Sequence, residues 1–311
     1  MGDIKQSASA SATGQVGVVN VEGGLSFSLS PEFKTSGFIG SLLAPRRARK
    51  SAEAAKEIND AVAESMATYM SLSPTVSPER AYLMAMTGLM FTERQTENLL
   101  AVLSSAAESA GGVADPSVIP SMTRDKILNG SCEADDENVR GMWERLILGE
   151  MDSPGMYSKR TMSILSDMSG AEASSFRHLC GVCIKSRLDG RQTQRIYYPF
   201  NIPNELALES QEADSLRALG LTTLSGSNGV MSAMSIRFSD KPTILIIGNC
   251  AYSVTSDRAR SIEVASDPLT SYGQELSTLC DIGTYDGFEQ YVMGILEKLG
   301  ADVTRVEWQT E

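Results

Sequence analysis

The residues of this chain whose types and spacing could do chemistry are few. His178-Leu-Cys180-Gly-Val-Cys183 places an imidazole and two thiols close together. A structural zinc site needs four such ligands, usually as two paired knuckles. His178 is the only histidine, and Cys132, Cys250 and Cys280 stand isolated along the chain. With Phe176, Leu179 and Ile184, Cys180 and Cys183 form the apolar side of a predicted helix, so small buried hydrophobes are the better account. A redox Cys-x-x-Cys is expected at a strand-to-helix junction, which this pattern does not offer. Any His-dependent triad would have to use His178. Ser225-Gly-Ser-Asn-Gly229 is turn chemistry with no phosphate-loop lysine after it, and Gly-x-Ser-x-Gly is absent. Carboxylates are plentiful but lack partners at diagnostic spacing. The expectation is a non-enzyme with no catalytic residue, metal or cofactor.

Charge is the other chemical signal. Between residues 155 and 195 lie Lys159, Arg160, Arg177, Lys185, Arg187, Arg191 and Arg195 against three acids, a local +4 inside a chain of net charge −12. Such a patch could meet phosphates, an acidic partner, or the acidic face of a second copy. In so acidic a chain self-association is the more economical reading, and nucleic acid is not favoured.

The totals bound the rest. At 311 residues there is room for two domains, and 42% hydrophobic with 21% charged residues is ordinary for a globular protein. Low aromatic content (6%) and 15 methionines point to an aliphatic, helix-rich core. Five scattered cysteines fit a reducing compartment better than a disulfide framework. No stretch approaches the roughly 18 apolar residues that span a bilayer. A cytoplasmic location with no membrane span is therefore expected.

These residues need elements to position them. Residues 1–15 are Ser/Ala/Gly-rich and read as a disordered tail. Residues 16–45 hold apolar alternation around Gly23-Gly24, a possible β-hairpin, and then the apolar run Phe38, Ile39, Leu42 and Leu43, a candidate self-association segment. An α-helical domain is predicted over 46–187, with helices from Arg46 to about Met70, over 78–91, over 92–110, a short one over 121–128, over 135–150 and over 158–168, and a further one opened by the capping box Ser169–Glu172. In the 135–150 helix Val139, Met142, Trp143, Leu146 and Ile147 fall on one face. Trp143, Met142 and Leu146 read as core anchors there, joined by Arg145 as a salt-bridge partner. Residues 188–311 read as a mixed domain: a strand at 195–200, a short helix at 209–219, β-runs at 231–238 and 243–248, helices from 269 and over 285–299, and a last strand at 301–308.

Three blocks then carry a resemblance: Arg94-Gln-Thr-Glu-Asn98-Leu-Leu, Trp143-Glu-Arg-Leu-Ile-Leu-Gly-Glu150 leading to Pro154-Gly155-Met-Tyr-Ser158-Lys-Arg160-Thr161, and Leu269-Thr270-Ser-Tyr-Gly273-Gln-Glu275-Leu276. Together they resemble an uncharacterised bacterial family with a Trp-Ala-Arg-Leu-Leu-Ala-Gly-Glu, Pro-Gly, Phe-Ser-x-Arg-Thr-Leu signature, itself similar to the abortive infection alpha proteins of phage defence. The resemblance spans roughly residues 40–305; this chain departs from it at Glu144, Ile147-Leu148 and Tyr157. It supplies no catalytic residues. Leu216-Arg-Ala-Leu-Gly220-Leu221, the β-runs and Leu269-Thr270-x-x-Gly273 also resemble a winged-helix module.

The expected fold is thus α+β, mostly α, with a helical N-terminal part and a winged-helix-like mixed C-terminal part. The expected function is a self-assembling cytoplasmic phage-defence protein that works through protein contacts, a homo-oligomer with a possible protein partner. The alternative is a winged-helix nucleic-acid binder that uses the basic patch.

Overall fold

A computed structural model describes residues 18–20, 26–28, 52–72, 81, 84, 85, 91–111, 116–187, 195–224, 233–266, 268–281, 285 and 287–307. The expected tail, Phe38, Ile39, Leu42, Leu43 and most of the 78–91 helix lie outside these residues. The chain divides into two units, Met1–Thr92 with Ala107–Pro116, and Glu93–Ala106 with Ser117–Glu311. In the first, β1 (Val18–Asn20) pairs antiparallel with β2 (Ser26–Ser28). It also holds α1 (Ala52–Leu72), whose Val62 is buried.

The described residues before the large sheet also form α2 (Glu93–Ser109), α3 (Ser121–Glu133), α4 (Glu137–Asp152), α5 (Lys159–Asp167) and α6 (Gly170–Gly181). Side-chain caps set where three of them begin. Asp136 accepts from the backbone N–H groups of Asn138 and Val139 at the start of α4. Ser158 does the same for Thr161 N–H in α5, and Ser169 with Glu172 forms the expected capping box of α6. Each cap contributes about 1 kcal/mol. Leu99, Leu103, Ile127, Trp143, Leu146, Ile147 and Phe176 are fully buried in the second unit.

The C-terminal part is a seven-stranded antiparallel sheet of order β5-β8-β4-β3-β6-β7-β9. Its strands are β3 (Ile184–Arg187), β4 (Arg195–Pro199), β5 (Ala233–Phe238), β6 (Thr243–Ile247), β7 (Cys250–Thr255), β8 (Arg260–Ser266) and β9 (Asp302–Val306). Helices α7 (Ser210–Ala218), α8 (Ser271–Ser277) and α9 (Phe288–Lys298) are interleaved with them. Consecutive burial of Leu245, Ile246 and Ile247 shows that β6 is covered on both faces.

The protein is therefore mixed α+β and mostly helical. Its β content exceeds the expected ribbon in three places. The helix predicted through Cys183 and Ile184 stops at Gly181, and Ile184–Arg187 becomes the sheet's central strand, paired with both β4 and β6. Ile184-Lys-Ser-Arg is too short for periodicity to distinguish helix from strand, and pairing on two sides decides it. The other two unforeseen strands are β7 and β8. Ile247 pairs with Cys250 across Gly248-Asn249, a two-residue hairpin loop with Gly248 at φ +55°.

The two segments of the winged-helix resemblance do meet. Thr222 bridges Leu269, Thr270 N–H donates to Leu221 O (3.0 Å) and Thr270 Oγ1 donates to Gly220 O (2.6 Å). The strands between them belong to the seven-stranded sheet: β5 pairs with β8, and β8 with β4.

Candidate functional site

Helix α4 has two faces with different tasks. Val139, Met142, Trp143, Leu146, Ile147 and Glu150 recur at helical spacing and are buried. The Trp143 ring lies so close to Gly130 of α3 that a Cβ there would overlap it. Its indole N–H has no acceptor among the described residues, so Trp143 contributes packing alone.

Glu150 is a fully buried carboxylate, which is stable only when hydrogen-bonded. It accepts from Gly155 N–H (2.8 Å) and Tyr157 N–H (2.9 Å), so it closes the turn carrying Pro154-Gly155. Tyr157 then folds against Gly149, where a Cβ would stand 2.8 Å from the ring. Burial raises the Tyr157 phenol above its ordinary range; its hydroxyl reaches Thr278 Oγ1 (3.5 Å). The third block joins here. Glu275 of α8 accepts from Ser158 N–H (2.9 Å) and Thr161 Oγ1 (2.5 Å) at the start of α5. The first block is fastened similarly, by Arg94 to Asp135 (2.5 Å) and by Asn98 Nδ2 to Cys132 O (3.2 Å). The three blocks that carry the family resemblance thus form one clasp around α4, with the side chains of Glu150 and Glu275 as its two pins.

The opposite face of α4 borders a cavity of about 510 Å³. Ala101, Val102 and Ser105 of α2 form one wall, and Gly141 and Arg145 of α4 another. Arg177 of α6 and Cys280, just after α8, complete it. Arg145 is half-buried and makes no ion pair among the described residues: its Nη1 donates to Gly141 O (3.0 Å) and Leu279 O (2.7 Å). In place of the expected carboxylate, these bonds go to one carbonyl of its own helix and one just beyond α8. Arg177 Nε donates to Asp281 O (2.9 Å). Arg140, also on the cavity wall, is held by Ala134 O, Asp135 O and Asn98 Oδ1.

The expected basic patch is spread over several elements. Lys159 and Arg160 are exposed at the start of α5, Arg177 is exposed on α6, and Lys185 is half-buried in β3. Arg187 and Arg195 lie in β3 and β4, and Arg191 falls outside the described residues. Of the described ones, Arg177 lines the cavity.

In the His-Cys-Cys cluster His178 and Cys180 meet neighbouring groups, and Cys183 is buried. His178 Nε2 meets Leu206 O (3.0 Å), and its ring stacks on Tyr285 with centroids 4.4 Å apart. Cys180 shares a hydrogen bond with the free thiol of Cys280, which together with burial pushes its pKa well above the ordinary thiol value. Burial takes Cys183 up to about 12. Among the described residues no group of three His, Cys, Asp or Glu side chains is placed to hold a metal ion. Sequence reading missed the pairing of Arg145 and Arg177 with the 279–281 segment, since nothing local marks contacts more than a hundred positions apart.

Fold and site together define an α+β protein in which α8 and the residues after it bond to α4 and α5. Residues 92–223 match the family described as a protein of unknown function, DUF2806. No curated protein and no solved structure matches the chain. Among the described residues no helix is long and apolar enough to cross a membrane.

Proposed function

We propose that this is a non-enzymatic, self-assembling cytoplasmic protein of the abortive-infection phage-defence type, acting through protein–protein contacts. The observation that carries the reading is the use to which the family-like blocks are put. Their carboxylates and hydroxyls, Glu150, Glu275, Ser158 and Thr161, are engaged in the clasp, and a motif that maintains a scaffold suits a protein that works by presenting surfaces. The net charge of −12 supports contacts with protein rather than nucleic acid. The resemblance of the three sequence blocks to an uncharacterised family similar to the abortive infection alpha proteins suggests the biological setting.

Light scattering on the purified protein, with absorbance read at protein and nucleic-acid wavelengths, tests the physical half. A defined oligomer free of nucleic acid is expected. A protein that copurifies with nucleic acid, released steeply by salt, would favour the winged-helix alternative. Phage plating on cells with and without the gene tests the biological half; a monomer that leaves plaque counts unchanged would sink the proposal.

A further inference from the structure

The geometry points to a second function for α4: we infer that the cavity on its open face binds a small molecule carrying a phosphate or carboxylate together with nitrogen donors. The argument starts from two guanidinium groups. Arg145 and Arg177 bond the carbonyls of Leu279 and Asp281. Those carbonyls are two residues apart, so at most roughly 7 Å separates them. Two cations are thereby brought to one rim of the cavity by neutral carbonyls, and neither is paired with a carboxylate among the described residues. Like charges held together repel, and an oxyanion between them relieves the repulsion while matching the planar donor fork of arginine. Among the described residues each guanidinium keeps nitrogens uncommitted for that purpose.

Gly141 is the second observation. Glycine weakens a helix interior, and at Gly130 and Gly149 an aromatic ring fills the place of the missing Cβ. At Gly141 the nearest atoms are the guanidinium nitrogens of Arg145, at 3.4 and 3.8 Å, and the cavity lies beyond. Its lack of a side chain lets Arg145 lie flat on the helix and keeps the space open. The volume of about 510 Å³ suits a metabolite-sized ligand. Glu137, Glu144 and Asp281 border the same space, with Glu144 accepting from Ser105 Oγ (2.6 Å). These acids give a bound molecule acceptors for its own N–H groups, so a bare anion is not the whole ligand.

Inorganic phosphate, adenosine monophosphate and L-glutamate are the probes, each added at millimolar concentration to the full chain. Melting temperature is one readout, and the rate of iodoacetamide labelling of Cys280, followed by peptide mass, is the other. At least one probe is expected to raise the melting temperature and slow labelling. Arg177→Gln should weaken that probe about tenfold through loss of the fork. Gly141→Leu should abolish binding by filling the cavity while adding a helix former, and Arg160→Gln, outside the cavity, should change nothing. Phosphate and adenosine monophosphate acting without glutamate would assign a phosphate ligand, and the reverse a carboxylate. Far-UV circular dichroism confirms that each variant folds, and Arg177→Lys tests the fork with charge retained. If none of the probes moves either readout, or if binding persists in both Arg177→Gln and Gly141→Leu, the inference is overturned.

Discussion

Trp143 and Glu150 occupy the same helix face and stabilise it by different physics. Trp143 is fully buried yet its indole nitrogen finds no hydrogen-bond partner among the described residues. Trp143→Ala should therefore cost about 3–5 kcal/mol in urea unfolding, and Trp143→Phe only about 1–2 kcal/mol, because no hydrogen bond is lost. Glu150 is the opposite case. Glu150→Ala strands the N–H groups of Gly155 and Tyr157, and a loss of about 3 kcal/mol is expected by the same measurement. Glu172 carries the pH dependence. Burial alone would raise its pKa, but hydrogen bonds from Ser169 Oγ, Ser169 N–H and Ser215 Oγ outweigh burial and hold it below the ordinary 4.5. A depressed carboxylate pKa gives stability that is fully present above the unfolded value and is lost as pH falls through the folded one. Acid unfolding monitored by fluorescence should start at higher pH in Glu172→Gln, and the difference from wild type should vanish once both are fully protonated.

At the scale of elements, α8 is short but joins α5, α4 and the α7 turn through Glu275, Leu279 O and Thr270. Glu275→Ala removes the acceptor of two bonds, and about 2–3 kcal/mol of destabilisation is expected from its chemical denaturation curve. Faster hydrogen exchange in α5 than in α3 should accompany it. Helices of this kind were legible in the sequence because caps and apolar faces are local. Asp136, Ser158 and Ser169 sit at their predicted starts, and the Trp143 face is buried as the spacing implies. Strands were legible only where alternation was long enough. The pair β6–β7 could have been found from Gly248-Asn249 directly after the β-branched run Thr243–Ile247, whereas β3 is made by its neighbours on both sides. The cavity was not legible at all. Arg145, Arg177 and Cys280 come from three helices' ends and faces, and their meeting depends on how the chain returns from the sheet.

Across the whole molecule, thiol chemistry offers a check on where the cysteines lie. Burial raises Cys132 to about 11 and Cys183 to about 12, so both stay protonated at neutral pH. In native protein neither should be alkylated by iodoacetamide, while the half-exposed Cys250 and Cys280 are; in denaturant all five should react. The clasp also has a consequence for how the protein is made. Ser158 and Thr161 are synthesised more than a hundred residues before Glu275, their common acceptor. At ordinary translation speeds of roughly 5–20 residues per second the helices leave the ribosome several seconds before the segment that locks them. During that interval the nascent helical part depends on chaperones or on its own incomplete core, and a premature stop anywhere before residue 275 would deliver that unlocked state permanently, as a substrate for proteases.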